Sequence, residues 1–181
     1  KMKKQIDFYF DVVSPYSYVA STLIEDVAQR CNADLLWNPI LLGGIFKAVG
    51  TSNTPGLTPE KKPYMLKDLQ RLSRHYGIPL QMPPDFPVRT VLVMRVLSGL
   101  PPEQIPQAAH TLFNAYWADN LDIADRDVVA SLIGQEAVER AGMHEVKDAL
   151  FKNTEEAVKR GAFGAPTFFV EDEMFFGHDR L

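Results

Sequence analysis

Hydrophobic residues recur along this chain in two rhythms, and the switch from one to the other predicts the elements. The apolar run Ile6 to Phe10 reads as a buried strand, and Ala20, Leu23, Ile24, Val27, Ala28 and Cys31 mark the apolar face of a helix over about 15–31. A second strand runs through Asp34-Leu35-Leu36-Trp37-Asn38-Pro39-Ile40. This is a β-α-β opening, for which parallel strands and a right-handed crossover are expected. From Gly43 to about Gly161 the period is almost wholly helical, with breaks at 50–59, 77–87, 99–106 and 121–124. Strand character returns over 166–170, and a turn at Glu171-Asp172 leads into Glu173 to Phe176 as an antiparallel hairpin. A final helix is expected to follow, with Asp179-Arg180-Leu181 as its first turn.

Composition narrows the classes. The 181 residues suit one domain carrying a large insertion, and with a net charge of −4 there is no basic field for nucleic acid. No apolar run approaches the roughly 20 residues of a membrane span. A short basic lead enters the first strand without an apolar signal region, so a cytoplasmic protein is expected. Cys31 is the sole cysteine, which excludes an intrachain disulfide and a Cys-rich metal site, and its place in the helical pattern predicts a packed small hydrophobe. His75, His110 and His144 lack metal-ligand spacing, and Asp7, Asp11, Asp122 and Asp125 make no convincing carboxylate pair for acid–base work.

The segment Asp11-Val12-Val13-Ser14-Pro15-Tyr16-Ser17-Tyr18 carries the chemistry. Ser14 suits a helix N-cap, and Pro15 suits the first helical position because its missing N–H costs nothing there. The β-α-β then β-β order is that of the thioredoxin fold, in which a Cys-x-x-Cys occupies this helix start. Here both positions are serine. Gly164-Ala165-Pro166-Thr167 stands where such folds carry a cis proline, which leaves the N–H and C=O of Ala165 open to a peptide added as a strand. A trans proline opening an edge strand is the other reading.

Phe8-Tyr9-Phe10-Asp11 with Ser14-Pro15-Tyr16-Ser17-Tyr18, Asn53-Thr54-Pro55-Gly56 with Lys61 and Tyr64-Met65, Gly161 to Thr167, and Phe176-Gly177-His178-Asp179-Arg180 occur in that order. The set resembles the 2-hydroxychromene-2-carboxylate isomerase family, which shares its motifs with kappa-class glutathione transferases in the DsbA-like branch of the thioredoxin superfamily. The resemblance implies an α/β, thioredoxin-like fold, with residues 1–42 and 162–181 forming the thioredoxin-like domain and 43–161 an all-helical insertion.

It also implies a glutathione-dependent isomerase with glutathione as cofactor, a small aromatic carboxylate as substrate and a homodimer as assembly. Ser14 would face the glutathione sulfur, although a plain helix cap explains its position equally well. Asn53 and Lys61 would hold the tripeptide, Ala165 and Pro166 would pair with it, and His178 and Asp179 would take its γ-glutamyl end. Relatives often have serine or asparagine where this chain has His178, which leaves the backbone amide available and the side-chain contact open. Lys62, Lys67, Arg71 and Arg74 read as a solvated helix face. On the substrate side, Arg89 suits a carboxylate or serves as an ordinary surface or capping arginine, while Arg95 suits a structural ion pair. Tyr16 and Tyr18 flank the sulfur position. Trp37, Phe46 and Trp117 are aromatic walls or core. A kappa-like transferase and a non-catalytic glutathione- or peptide-binding module are the competing functions.

Overall fold

The computed structural model describes residues 2–51 and 58–181. Its centre is β1 (Gln5–Phe10), which pairs in parallel with β2 (Asp34–Pro39) and antiparallel with β3 (Thr167–Val170). β4 (Glu173–Phe176) adds to β3 as an antiparallel edge strand, giving the order β2-β1-β3-β4. The expected β-α-β unit and the later hairpin are therefore both present, and the sheet is mixed because one half enters by crossover and the other by a tight turn.

Alternation along β1 divides the core into two. On one face Phe8 stacks on Phe168 and meets Trp37 edge-on, within a cluster that includes Val93, Met94, Leu97, Leu112 and Phe113. These last residues come from α5 (Val91–Ser98) and α6 (Ile105–Trp117). On the other face Tyr9 and Phe169 pack with Ile45 and Phe46 of α3 (Leu42–Val49) and with Ala157 of α9 (His144–Lys159). The helices between β2 and β3 thus cover both sides of the sheet. α4 (Lys62–Tyr76), α7 (Arg126–Ile133) and α8 (Gln135–Arg140) complete the helical run.

The expected helix over 15–31 is two helices, α1 (Pro15–Ser21) and α2 (Ile24–Arg30). At the junction Thr22 and Leu23 donate to carbonyls only three residues back, while the hydroxyls of Ser21 and Thr22 donate to Tyr18 O and Val19 O. Side-chain back-bonding of this kind competes with the helical ladder and bends it. Cys31 closes α2 as its C-cap and is exposed at the helix end, which corrects the expectation of a packed residue. At the C-terminal end the expected opening turn is the 3-10 segment His178–Arg180.

Phe8 is fully buried and touches three other aromatic rings. Phe8→Ala should lower the unfolding free energy by about 3–5 kcal/mol in a urea titration, and a loss under 1 kcal/mol would place the centre of the core elsewhere.

Candidate active site

The site grows from the short turn between β1 and α1. Ser14 is buried in extended backbone (φ −82°, ψ 117°), and its Oγ accepts from the Ser17 N–H at 3.0 Å as an N-cap. The same hydroxyl donates to the Ala165 carbonyl at 3.1 Å, across 151 positions of sequence. The Ala165–Pro166 peptide is cis. The Ala165 carbonyl is therefore engaged by Ser14, and its N–H finds no acceptor among the described residues. Pro166 O accepts from Gly177 N–H at 3.0 Å, which brings the terminal turn to the same place. Gly177 has φ +96°, and a Cβ there would run into the Asp179 carboxylate, so the turn requires glycine. The N–H groups of His178 and Asp179 open that turn and have no acceptor among the described residues.

Tyr16 joins these parts to α4. Its ring stacks on His178 with centroids 5.4 Å apart and planes 9° from parallel, and its hydroxyl donates to Asp68 Oδ2 at 2.8 Å. Burial, reinforced by the Asp68 bond, holds the phenol well above its ordinary pKa, so it remains a protonated donor. Burial also pushes His178 below its usual value, against the pull of Asp179 and Asp68. Tyr18, by contrast, is buried and donates to Pro79 O at 2.5 Å, so it belongs to the core and not to the Tyr16–His178 face.

The structure joins Ser14, Tyr16, Ala165, Pro166, His178 and Asp179. Lys61 is exposed and precedes α4, the helix that carries Asp68. Asn53 lies outside the described residues. Arg89 is exposed, beside Thr90 at the start of α5, and makes no hydrogen bond or ion pair among the described residues. Arg95, expected in an ion pair, has none among the described residues. Trp37, Phe46 and Trp117 are core. The Trp117 indole N–H donates to Val12 O at 2.7 Å and so braces the Ser14 turn from behind. His110 pairs with Glu25 and meets Trp37 edge-on. No cluster of His, Cys, Asp or Glu suited to a metal occurs among the described residues, and no described helix is long and apolar enough to cross a membrane.

Sequence reasoning passed over Asp11, which is 1% exposed. Its carboxylate accepts from Val13 N–H, Leu42 N–H and the Thr90 hydroxyl, and burial is the main cause that raises its pKa. The available signal was an acid directly after the aromatic run Phe8-Tyr9-Phe10, where water is absent and donors must be found. A groove of about 1400 Å³ along α3 and α9 is lined in part by Arg95, and another of about 620 Å³ beside Cys31 and Phe175 reaches Arg180 and Leu181, which follow Asp179.

Comparison with known proteins adds the lineage. The profile of the DSBA-like thioredoxin domain matches residues 5–181. The chain belongs to the DsbA-like thioredoxin family. It is 31% identical over 201 residues to glutathione S-transferase kappa 1 of Homo sapiens, covering 99% of this chain and 88% of that protein. It is 30% identical over 184 residues to 2-hydroxychromene-2-carboxylate isomerase of Pseudomonas putida, covering 97% and 90%. A solved 2-hydroxychromene-2-carboxylate isomerase superimposes with a TM-score of 0.85 at 28% identity, over 97% of this chain and 90% of that one. These relatives are an isomerase and a glutathione transferase, which supports an enzyme with a glutathione-related or isomerase activity.

His178 gives a pH signature. Its folded pKa lies below the ordinary 6.5, so on acidification the unfolded chain takes up this proton first. The corresponding stability is complete above about pH 6.5 and is lost as the pH falls toward the lowered folded value. His178→Asn should flatten that part of the stability–pH curve measured by thermal unfolding; an unaltered slope would mean that His178 titrates normally.

Proposed function

We propose that this DsbA-like protein is a glutathione-dependent isomerase interconverting 2-hydroxychromene-2-carboxylate and trans-o-hydroxybenzylidenepyruvate in the breakdown of naphthalene-type aromatics. The observation that carries the reading is a serine hydroxyl at a helix start, hydrogen-bonded to the residue before a cis proline, in a motif without cysteine. A protein built this way has no dithiol of its own and must receive its sulfur from a bound thiol. The donors that lack an acceptor among the described residues suit glutathione: Ala165 N–H for a peptide strand, and the His178 and Asp179 N–H groups for a carboxylate. Asp179 itself suits an ammonium, and Lys61 with Asn53 suits the carboxylate at the glycine end.

When bound, glutathione supplies a thiolate that adds reversibly to the β-carbon of an enone, which frees rotation about the former double bond. Ser14 has one proton to give, and it now lies on the Ala165 carbonyl. A neutral hydrogen bond contributes about 1 kcal/mol net, whereas one to an ion contributes about 1.5–3 kcal/mol, so an anionic sulfur draws that proton away from the carbonyl. The start of α1 adds about 0.3–1 kcal/mol. A total of about 2 kcal/mol moves a thiol from about pKa 8.5 to about 7, a substantial ionised fraction at neutral pH. Tyr16, kept protonated by burial and Asp68, adds no competing phenolate beside the sulfur. Arg89 serves the substrate carboxylate.

A kappa-like conjugating activity is the second reading, favoured by the similarity to the human kappa enzyme. The two separate on glutathione balance. As an isomerase the protein should be inactive without glutathione, regain activity when it is added and consume none; one equivalent consumed per turnover would establish conjugation instead. Ser14→Ala should raise the pKa of bound thiol, read by ultraviolet thiolate absorbance, by about one unit, as expected from losing one charge-assisted bond. An unchanged titration would remove Ser14 from this role.

A further inference from the structure

We propose that Asp11 is a positioning residue that sets the separation between the Ser14 turn and the segment bearing Arg89, acting through the Thr90 hydroxyl. This rests on the reading above, in which Ser14 faces the sulfur and Arg89 the substrate carboxylate.

Asp11 reaches both segments directly. Its backbone carbonyl accepts from Ser14 N–H at 3.0 Å. Its Oδ1 accepts from Val13 N–H at 3.1 Å and from Thr90 Oγ1 at 2.7 Å, while Oδ2 accepts from Leu42 N–H at 2.9 Å. One residue therefore holds the turn, the first residue of α3 and the residue before α5. All these donors are neutral, in a place with 1% solvent exposure. Withdrawing a carboxylate from water costs several kcal/mol even after relaxation, and an apolar residue would fill the same volume without that cost. The acid thus supplies something that packing does not.

Thr90 points the same way. A threonine at an N-cap ordinarily accepts from the amides of its own helix. Thr90 makes no such cap bond, and its hydroxyl, 5% exposed as a residue, donates across 79 positions to Asp11. A local rule is broken in favour of a long-range tie, as happens where geometry serves a site. Arg89 is the next residue along. A substrate that meets sulfur at its β-carbon and Arg89 at its carboxylate needs that span fixed, because a misplacement of about 1 Å can cost about 100-fold in rate.

The test uses Thr90→Val, which keeps the shape and removes the donor, and Thr90→Ser, which keeps the hydroxyl. Each is assayed with an aromatic enone carboxylate and with its uncharged methyl ester, and glutathione affinity is measured by calorimetry. In Thr90→Val, kcat/KM for the carboxylate should fall by about 10- to 100-fold. The ester should change by less than about 3-fold, glutathione affinity by less than about 2-fold, and Thr90→Ser should restore the carboxylate preference. Equal losses on both substrates, or no rescue by serine, overturn the proposal. If Arg89→Ala abolishes the preference for carboxylate over ester while Thr90→Val keeps it, the positioning role has failed and the Arg89 reading stands. If Arg89→Ala leaves the preference intact, the Arg89 reading has failed and takes the coupling with it. Should Thr90→Val not fold, Thr90→Cys keeps a weak donor of similar size, and a partial loss of the same preference is expected; full retention of the preference overturns the coupling.

Discussion

A carboxylate shut away from water must be surrounded by donors, and much of this protein's architecture meets that demand at Asp11. Its partners come from the turn after β1, from the start of α3 and from the residue before α5. The same turn is fixed a second time, by the Trp117 indole on Val12 O. Four segments far apart in sequence converge on four residues, Asp11 to Ser14. The sheet supplies the strand that delivers the turn, and the helical run supplies the groups that hold it. Ser14 is consequently held by bonds from several elements, which fixes its hydroxyl relative to the Ala165 carbonyl.

Around that turn the structure sorts proton donors from acceptors. Burial and Asp68 hold Tyr16 in its protonated form, burial keeps His178 from charging early, and the stacked rings of these two close one side. The terminal turn adds N–H groups without an acceptor among the described residues, and the Ala165 N–H is another. The carboxylates of Asp68 and Asp179 stand beside the same Tyr16–His178 pair, so N–H donors and acidic acceptors meet on this face.

Much of the fold was legible in the chain. A period of two in the apolar runs, the change to a helical period and the Gly-Pro breaks located the strands, the hairpin and the long helical stretch. Ser14 as a cap could be read from Ser-Pro at a helix start, and Ala165-Pro166 from its place before a strand. The failures have a common cause. Tyr18 lies two residues from Tyr16, yet one ring is in the core and the other in the site, because the helical turn places them on different faces. Cys31 keeps the period of Ile24 and Ala28, yet it stands at the end of α2 and is left exposed, which periodicity does not register. Acid spacing gives Asp11 no pair for acid–base work, and it says nothing of donors arriving from residues 42 and 90.

Periodicity, capping chemistry and cysteine count are local or compositional properties, so most elements, their order and the lack of a cysteine pair can be read along the chain, whereas the break between α1 and α2 cannot. Tertiary structure alone decided which polar groups share a place: Ser14 with Ala165, Tyr16 with Asp68 and His178, and Asp11 with Thr90. The physical reason is that a hydrogen bond has a reach of about 3 Å, whereas these partners lie up to 162 positions apart and meet only when both faces of the sheet are covered.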